Sequence, residues 1–229
     1  MWLPYFVLVL AYFLGSLPTG YIAGKLAGID IREQGSGSTG ATNVWRCVGP
    51  AAGLTVFVVD FAKGCLAVGL MQNVNALGQN FLGISAGVLA ADWTQWFVIA
   101  AGILVLTGHS RSVWLGFKGG KAVATGLGIV FTLNPMSGWI GLGTWLITMA
   151  IWRTVSISSL CGAVVAPTAM WLLQPNLAYS LLTTAAGLFV LMRHKANIER
   201  LLNGTELTFK KSEATNQSAS ESTAESPNP

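Results

Sequence analysis

The stretch LPYFVLVLAYFLGSLPTGYIAGKL, residues 3–26, contains a single charged side chain, that of Lys25. About 20 apolar residues suffice for an α-helix to cross the hydrocarbon core of a bilayer, so this stretch predicts a membrane-spanning helix. The composition of the whole chain agrees, because 52% of its 229 residues are hydrophobic and only 10% are charged. Soluble domains carry about 25% charged residues. The chain is therefore expected to meet lipid over most of its length.

Six further apolar stretches follow the first. Together they predict an all-α integral membrane protein, a bundle of about seven transmembrane helices joined by short loops. The predicted spans cover residues 3–26, 50–71, 92–107, 121–133, 138–152, 156–173 and 177–192. The third begins at Asp92 and the fourth is short, so five or six spans would also fit.

Lysine and arginine are confined to alternate connections between these spans. With the exception of Lys63, these residues lie in, or at the edge of, the connections on one side of the predicted membrane domain. By the positive-inside rule that side is the cytoplasm, which predicts an N-terminus outside, a C-terminus inside and three polar segments on the inner face. Residues 204–229 are rich in Ser, Thr, Glu, Asn and Pro. We therefore expect a membrane domain over residues 1–203 and a disordered cytoplasmic tail over residues 204–229.

The first polar segment, IREQGSGSTGATNVWR (residues 31–46), contains the pattern GxGxxG at Gly35, Gly37 and Gly40. That pattern marks a dinucleotide site only between a strand and a helix, whereas membrane spans flank it here, which excludes a Rossmann site. A loop of small residues with free N–H groups, hydroxyls and Arg46 can instead wrap an anion. The alternative is a flexible connector.

The second polar segment, GHSRSVWLGFKGGKAVATGLG (residues 108–128), combines glycines with Arg111, Lys118 and Lys121. It is not a nucleotide P-loop, because Ala122 stands where that motif requires Ser or Thr and the first glycine of the motif is missing. A lysine that opens a helix, as Lys121 is predicted to do, favours phosphate through the helix dipole, free N–H groups and its own charge. The alternative is that Lys118 and Lys121 only mark the membrane boundary.

The third polar segment is RHKANIERLLNGTE (residues 193–206), in which His194 and Asn197 can share one face of a helix. Taken alone, a histidine at a membrane exit is more often an interfacial residue than a catalyst. Three polar segments on one side of the membrane favour a catalytic site instead.

These segments, with GSLPTGY in the first span and DFAKG in the second, resemble the motifs of the bacterial acyl-phosphate:glycerol-3-phosphate acyltransferase family, PlsY. The resemblance implies a multi-pass enzyme of the bacterial inner (plasma) membrane. Such an enzyme transfers a fatty acyl group from acyl phosphate to sn-glycerol 3-phosphate, the first acylation step of phospholipid biosynthesis. The products are lysophosphatidic acid and phosphate. The resemblance implies no cofactor, no nucleic acid and no obligate protein partner.

The resemblance also implies roles for residues of this chain. Ser36, His194 and Asn197 would be catalytic, orienting the attacking hydroxyl and the reacting carbonyl. Arg46 and Lys121 would hold the phosphate of glycerol 3-phosphate, and Lys121 with its preceding glycines would hold the acyl phosphate. The implied substrate-binding residues are Gly35, Gly37, Ser38, Thr42, Asn43, Arg46, Gly108, His109, Lys118, Gly119, Gly120, Lys121 and Thr125.

Three positions depart from the usual family motifs. Ser38 replaces the asparagine of GSGN and loses an amide. Ser112 replaces the proline of GHxxP, which should loosen a turn, and Ala122 replaces the last glycine of KGGKG, which should suit a helix start.

Acyl phosphate is already an activated anhydride, so direct transfer without an acyl-enzyme is the favoured mechanism. His194 as a general base is the alternative. The sequence has two histidines and no clustered carboxylates, so no metal site is predicted. Asp60 and Lys63, three residues apart in the second span, favour a buried ion pair, and a part in the active site is the alternative.

A second class of function also fits the composition, namely a small transporter for a phosphorylated solute. Transport needs a pathway open to both sides, whereas the predicted outer connections are short and uncharged. A scaffold for other membrane proteins would leave the glycines and histidines unexplained.

Overall fold

A computed structural model describes residues 2–84 and 87–208. Within these ranges the chain is helical and forms no strand, which confirms the all-α prediction. The α-helices are α1 (Leu3–Ser16), α2 (Thr19–Leu26), α3 (Ala41–Cys47), α4 (Pro50–Gln72), α5 (Val74–Leu82), α6 (Ala91–Ser110), α7 (Val123–Leu133), α8 (Pro135–Trp152), α9 (Val155–Leu173), α10 (Leu177–Arg193) and α11 (Lys195–Leu202). A single 3₁₀ turn, Val113–Leu115, lies between α6 and α7.

Six of the seven predicted spans each overlap one helix, and the first overlaps two, α1 and α2. The number of crossings stays a prediction. Over the described residues, three stretches are long and apolar enough to cross a membrane: Leu3–Leu26, Pro50–Gln72 and Val155–Leu173. A fourth is added if Leu177–Arg193 and Lys195–Leu202, which meet at a bend of 54°, count as one. Helix α7 has only 11 residues, about 16 Å, which is shorter than the hydrocarbon core of a bilayer.

The predicted first span is broken in the middle. Helix α1 ends at Ser16 and α2 begins at Thr19, because Pro18 lacks an N–H and disfavours helical backbone at Leu17. The carbonyl of Leu17, freed by this break, accepts a hydrogen bond of 2.7 Å from the ammonium of Lys63 on α4. The break therefore gives a buried cation one of its hydrogen-bond acceptors.

Small residues let the helices of the bundle pack backbone to backbone. A Cβ on Gly108 of α6 would collide with the Tyr12 carbonyl of α1. A Cβ on Gly64 of α4 would likewise collide with the Thr125 carbonyl of α7. Such close contact is typical of helix pairs in membranes, where small side chains replace the hydrophobic driving force. Helix α1 packs along α6 and α4 along α7, and α4 also contacts α1 and α6.

The predicted tail begins inside the described part of the chain. Residues 204–208 follow α11, and Glu206 among them contacts two residues of α11. The remainder of the predicted tail, residues 209–229, lies outside the described residues.

Candidate active site

The three polar segments of the sequence meet around one cavity of ≈ 130 Å³. Side chains from the loop before α3 and from α3, α4, α6, α9 and α11 face each other across it, and the start of α7 closes one wall. Its polar lining residues are Ser36, Ser38, Thr42, Asn43, Arg46, Asp60, His109, Lys121, Ser156, Ser159, His194, Asn197, Arg200 and Glu206.

The loop before α3 is organised by Asn43, whose side chain is buried at its centre. Its Nδ2 lies 3.0–3.1 Å from three loop carbonyls, those of Ile31, Gln34 and Ser38, and its Oδ1 accepts the N–H of Ser36 at 2.9 Å. This amide therefore satisfies backbone groups that an irregular loop would otherwise leave unpaired.

Two glycines of this loop are required by its backbone conformation. Gly35 and Gly37 have φ of 57° and 68°, in the left-handed region that favours glycine. A Cβ on Gly35 would also collide with the Asn43 carboxamide oxygen. Neither glycine lines the cavity, whereas Ser36 between them does. The hydroxyl of Ser38, at the position of the missing amide, accepts the N–H of Gly40 at 3.2 Å.

Two cations implied by the resemblance, Arg46 and Lys121, line the cavity together. Burial lowers the pKa of the Arg46 guanidinium, and the negative charge of Glu206 partly offsets this. Burial lowers the pKa of Lys121 to about 8, and the neighbouring Arg200 and Arg46 act in the same direction against the opposing effect of Glu206. A cavity that holds several cations under partial desolvation is suited to an anion carrying two negative charges.

The start of α7 differs from its prediction. The helix was expected to begin at Lys121 but begins at Val123, with Ala122 as its N-cap at φ 60° and ψ 23°. The expectation that alanine suits this position is therefore wrong, because left-handed backbone costs any residue with a Cβ about 1–2 kcal/mol. The first N–H groups of a helix lack intrahelical acceptors, and Val123 and Ala124 both line the cavity. A helix terminus of this kind beside a lysine can bind an anion.

Five residues of the second segment that were implied to bind substrate do not line the polar cavity: Gly108, Lys118, Gly119, Gly120 and Thr125. Thr125 is buried, with its hydroxyl 3.3 Å from His109 Nδ1. Gly108 packs against α1 as described above, and Lys118 is exposed. Gly119 and Gly120 pack against the end of α6, where a Cβ on Gly120 would collide with the His109 ring. The N–H of Gly120 is donated to the His109 carbonyl at 3.2 Å.

The turn that contains these two glycines is held from three sides. The guanidinium of Arg193, at the end of α10, donates to the carbonyls of Gly119 and Gly120, both at 3.2 Å. The Ser110 hydroxyl donates to the Gly120 carbonyl at 3.0 Å. Ser112, which was expected to loosen this region, donates its hydroxyl to the Ser16 carbonyl at 2.6 Å. That expectation is wrong, because the serine ties the segment to the end of α1.

His194 lies at the bend between α10 and α11, with Nδ1 2.7 Å from the Val190 carbonyl oxygen. Because a carbonyl only accepts, Nδ1 carries the proton and Nε2 of the neutral ring is an acceptor. Burial lowers the pKa of His194 to about 4, although the hydrogen bond to Val190 acts in the opposite direction. The ring is therefore neutral at physiological pH.

Asn197 is oriented by Glu206, a residue that the sequence had assigned to the tail. The Asn197 amide donates to Glu206 Oε1 and the Arg200 Nε–H to Glu206 Oε2, both at 2.6 Å. Burial raises the pKa of Glu206, but these hydrogen bonds outweigh it and leave the pKa below its usual value. Asn197 is 5% exposed, and within the described residues its Oδ1 has no hydrogen-bond partner. This oxygen is thus available to a ligand.

Several lining residues were not found from the sequence. Ser156 and Ser159 stand three apart on α9, and their spacing in an apolar helix was the only available signal. Ser159 accepts a hydrogen bond from the Trp145 indole at 3.3 Å. Asp60 lines the cavity while it pairs with Lys63 at 2.6 Å, so the predicted ion pair exists and also reaches the site.

An apolar groove of ≈ 470 Å³ adjoins the polar cavity. It runs between α4, α7, α8, α9 and α10. The two spaces share the lining residues Ala41, Thr42, Phe57, Val123, Trp145, Val155 and Ser159. The site can therefore take an amphiphile, with its charged head among the cations and its apolar tail between the helices.

Comparison with known proteins agrees with this geometry. A family model described as glycerol-3-phosphate acyltransferase matches residues 5–204. The glycerol-3-phosphate acyltransferase of Trichormus variabilis is 49% identical over 203 residues, covering 87% of this chain and 89% of the relative. That of Acaryochloris marina is 46% identical over 201 residues, covering 87% of this chain and 89% of the relative.

Two solved structures are also similar. Both are crystal structures of PlsY, described as an integral membrane glycerol 3-phosphate acyltransferase. The glycerol 3-phosphate form has a TM-score of 0.76 at 33% identity and covers 90% of this chain and 95% of PlsY. The lysophosphatidic acid form has a TM-score of 0.74 at 32% identity and covers 91% of this chain and 96% of PlsY.

Proposed function

The chain belongs to the glycerol-3-phosphate acyltransferase family, and we propose that it uses acyl phosphate as the donor and transfers the acyl group directly, within the polar cavity. It is a multi-pass membrane protein and an acyltransferase that converts glycerol 3-phosphate to lysophosphatidic acid, a step of phospholipid biosynthesis. The observation that supports the donor assignment is the continuity between a cation-lined cavity and an apolar groove. An acyl phosphate has the matching shape, an anionic head on an apolar chain.

The groove supplies affinity for the chain of the donor. Each buried CH₂ group contributes about 0.8 kcal/mol, so a long chain provides most of the binding free energy while the head is placed by charge. Arg46 and Lys121 hold the acceptor phosphate, and an arginine can bind it through two parallel hydrogen bonds. The N–H groups of Val123 and Ala124 at the start of α7 add donors for phosphate next to Lys121.

The reaction forms one ester bond and breaks one anhydride bond. The hydroxyl oxygen of glycerol 3-phosphate attacks the acyl carbonyl carbon, the bond from that carbon to the phosphate oxygen breaks, and the departing phosphate takes the hydroxyl proton. Ser36, His194 and Asn197 orient the hydroxyl and the carbonyl. A pKa of about 4 makes His194 a weak base, since a general base works best with a pKa near the working pH. His194 therefore positions the hydroxyl through its Nε2 acceptor.

A covalent acyl-enzyme is not needed. Burial raises the pKa of the Cys47 thiol, so its reactive thiolate is disfavoured. Among the hydrogen bonds of the described residues, none joins the Ser36 hydroxyl to a histidine. Incubation with labelled acyl phosphate in the absence of acceptor should leave the protein unlabelled. A stable acyl-serine or acyl-cysteine adduct would overturn the direct mechanism.

A donor-swap assay tests the donor assignment. Protein purified in detergent should release phosphate and lysophosphatidic acid from glycerol 3-phosphate and long-chain acyl phosphate, and Lys121→Met should lose most of this activity. Lys195→Met is the matched control, because Lys195 is exposed and does not line the cavity. Turnover with acyl-CoA or acyl carrier protein but not with acyl phosphate would refute the donor. A transporter would produce nothing in detergent.

The same preparation tests the remaining expectations. We propose activity without added cofactor, metal ion or partner protein, so chelators should leave the rate unchanged. We also propose location in the bacterial inner membrane, with the N-terminus outside and the three polar segments on the cytoplasmic side, on the basis of the lysine and arginine distribution. Site-directed labelling that reached any of these segments from the outer compartment would contradict this orientation.

A further inference from the structure

The buried ion pair on α4 takes no part in the chemistry proposed above. Asp60 Oδ1 and Lys63 Nζ lie 2.6 Å apart, and their side chains are 2% and 3% exposed. A buried pair is a weak source of stability, because desolvation of both charges offsets most of their attraction. Ionisable groups inside membrane proteins more often serve a function.

The contacts of this pair fix its position relative to the break in the first span. The Thr19 hydroxyl donates to Asp60 Oδ1 at 2.6 Å, and Lys63 Nζ donates to the Leu17 carbonyl at 2.7 Å. Nζ also lies 3.1 Å from the Thr19 oxygen. The pair therefore joins α4 to the segment between α1 and α2, and the Asp60 carboxylate is held in place from two directions.

On its cavity side the carboxylate faces the ring of His109. Asp60 Oδ1 is 3.8 Å from His109 Nδ1, and the Thr125 hydroxyl is 3.3 Å from the same nitrogen. The other edge of the ring lies against Gly120, where a Cβ would collide with Nε2. The Gly120 N–H also binds the His109 carbonyl. The residue after Gly120 is Lys121, which lines the cavity at the start of α7.

We propose that Asp60 is a positioning residue of the acyltransferase site, acting through His109 on the Gly119–Gly120 turn and hence on the placement of Lys121 and the α7 N-terminus. The carboxylate fixes the plane of the imidazole, the imidazole supports the turn from beneath, and Arg193 holds the turn from above. The inference rests on the proposed function, since it takes Lys121 and the α7 N-terminus to hold substrate phosphate. A misplacement of about 1 Å at such a support can cost up to about a hundredfold in rate.

The test removes both charges together, so that no unpaired charge is left buried. In the Asp60→Asn/Lys63→Met variant we expect the KM for acyl phosphate to rise about tenfold and the KM for glycerol 3-phosphate, whose phosphate Lys121 also holds, to rise with it, while kcat changes by less than about threefold. A purely structural pair would alter only the amount of folded protein and leave the donor KM unchanged. That result overturns the proposal.

A double-mutant cycle identifies the route. If Asp60 acts through His109, then in a His109→Gln background the paired substitution should change the donor KM by less than about twofold. If the effects of His109→Gln and of the paired substitution on the donor KM multiply as independent effects do, the proposed route through His109 is overturned.

Should the paired variant fail to fold, Thr19→Val decides the question. It removes the hydroxyl that donates to Asp60 and accepts from Lys63, and it keeps both charges. We expect the donor KM to rise about threefold. Thr132→Val is the matched control, because within residues 2–84 and 87–208 that hydroxyl binds only the Gly128 carbonyl of its own helix, at 2.9 Å. An unchanged donor KM in Thr19→Val refutes the proposal. An inactive wild-type protein with acyl phosphate refutes the proposed function instead.

Discussion

The depressed pKa of Lys121 predicts a basic limb in the pH profile of the enzyme. Burial is its main cause, since it disfavours the charged ammonium and lowers the pKa to about 8. A lysine is charged below its pKa, so the protonated fraction is about 90% at pH 7 and about 10% at pH 9. If phosphate binding needs the charged form, kcat/KM for glycerol 3-phosphate should fall about tenfold over that interval.

The other ionisable groups of the cavity do not account for this basic limb of the pH profile. His194, with a pKa of about 4, is neutral throughout the range from pH 5.5 to 9.5. Arginine ordinarily stays protonated over this range. Phosphate esters lose their second proton near pH 6, so the substrate contributes a separate acidic limb.

The assay is phosphate release with glycerol 3-phosphate well below its KM, because bound phosphate would raise the pKa of Lys121 and hide the limb. The Lys121→Arg variant keeps its charge, so its basic limb should move beyond pH 9.5. Two results would refute the reasoning: a wild-type profile that is flat to pH 9.5, or a Lys121→Arg profile that still falls near pH 8.

Three further predictions concern the architecture around the cavity. Truncation after Thr208 should leave lysophosphatidic acid formation unchanged, whereas truncation after residue 204 removes Glu206, releases Asn197 and should lower turnover at least about tenfold. Arg193→Met removes the hydrogen bonds from the guanidinium to two carbonyls of the Gly119–Gly120 turn and should lower the Tm by about 3–12 °C, since hydrogen bonds to charged groups contribute about 1.5–3 kcal/mol. Gly64→Ala should destabilise the fold by about 1–3 kcal/mol, because its Cβ meets backbone of α7. The matched control Gly69→Ala, whose Cβ would have only an ordinary contact of 3.8 Å, should not lower the Tm and should raise it slightly, because alanine favours a helix over glycine by about 0.5–1 kcal/mol.

The sequence predicts the bundle and its polar segments because both depend on local patterns. Apolar runs give each helix of the bundle, and Pro18 carries the signal for the break in the first span, although average hydropathy across residues 3–26 conceals it. The three polar segments were found because glycine, lysine and histidine are conspicuous between apolar helices.

The remaining features depend on neighbours that are distant in the chain. Gly120 is needed because the ring of His109 lies beneath it, and Gly108 because α1 crosses there. A single sequence shows that a glycine is present but not what it contacts. In the same way, Glu206 lies in a polar stretch that composition assigns to a tail, while its partners Asn197 and Arg200 place it in the site. The left-handed backbone of Ala122 could not be predicted from the sequence, because alanine does not favour that conformation.

The apolar groove has a kinetic consequence for turnover. The hydrocarbon tail is the same before and after the reaction, so the groove binds donor and product to a similar extent, and this uniform binding adds nothing to kcat. Each additional methylene of the acyl chain should increase the affinity for the donor roughly fourfold, which corresponds to about 0.8 kcal/mol. It should lengthen the residence time of the product by about the same factor. With sufficiently long chains, departure of the finished lipid becomes the slowest step, and a burst of free phosphate should precede the steady state.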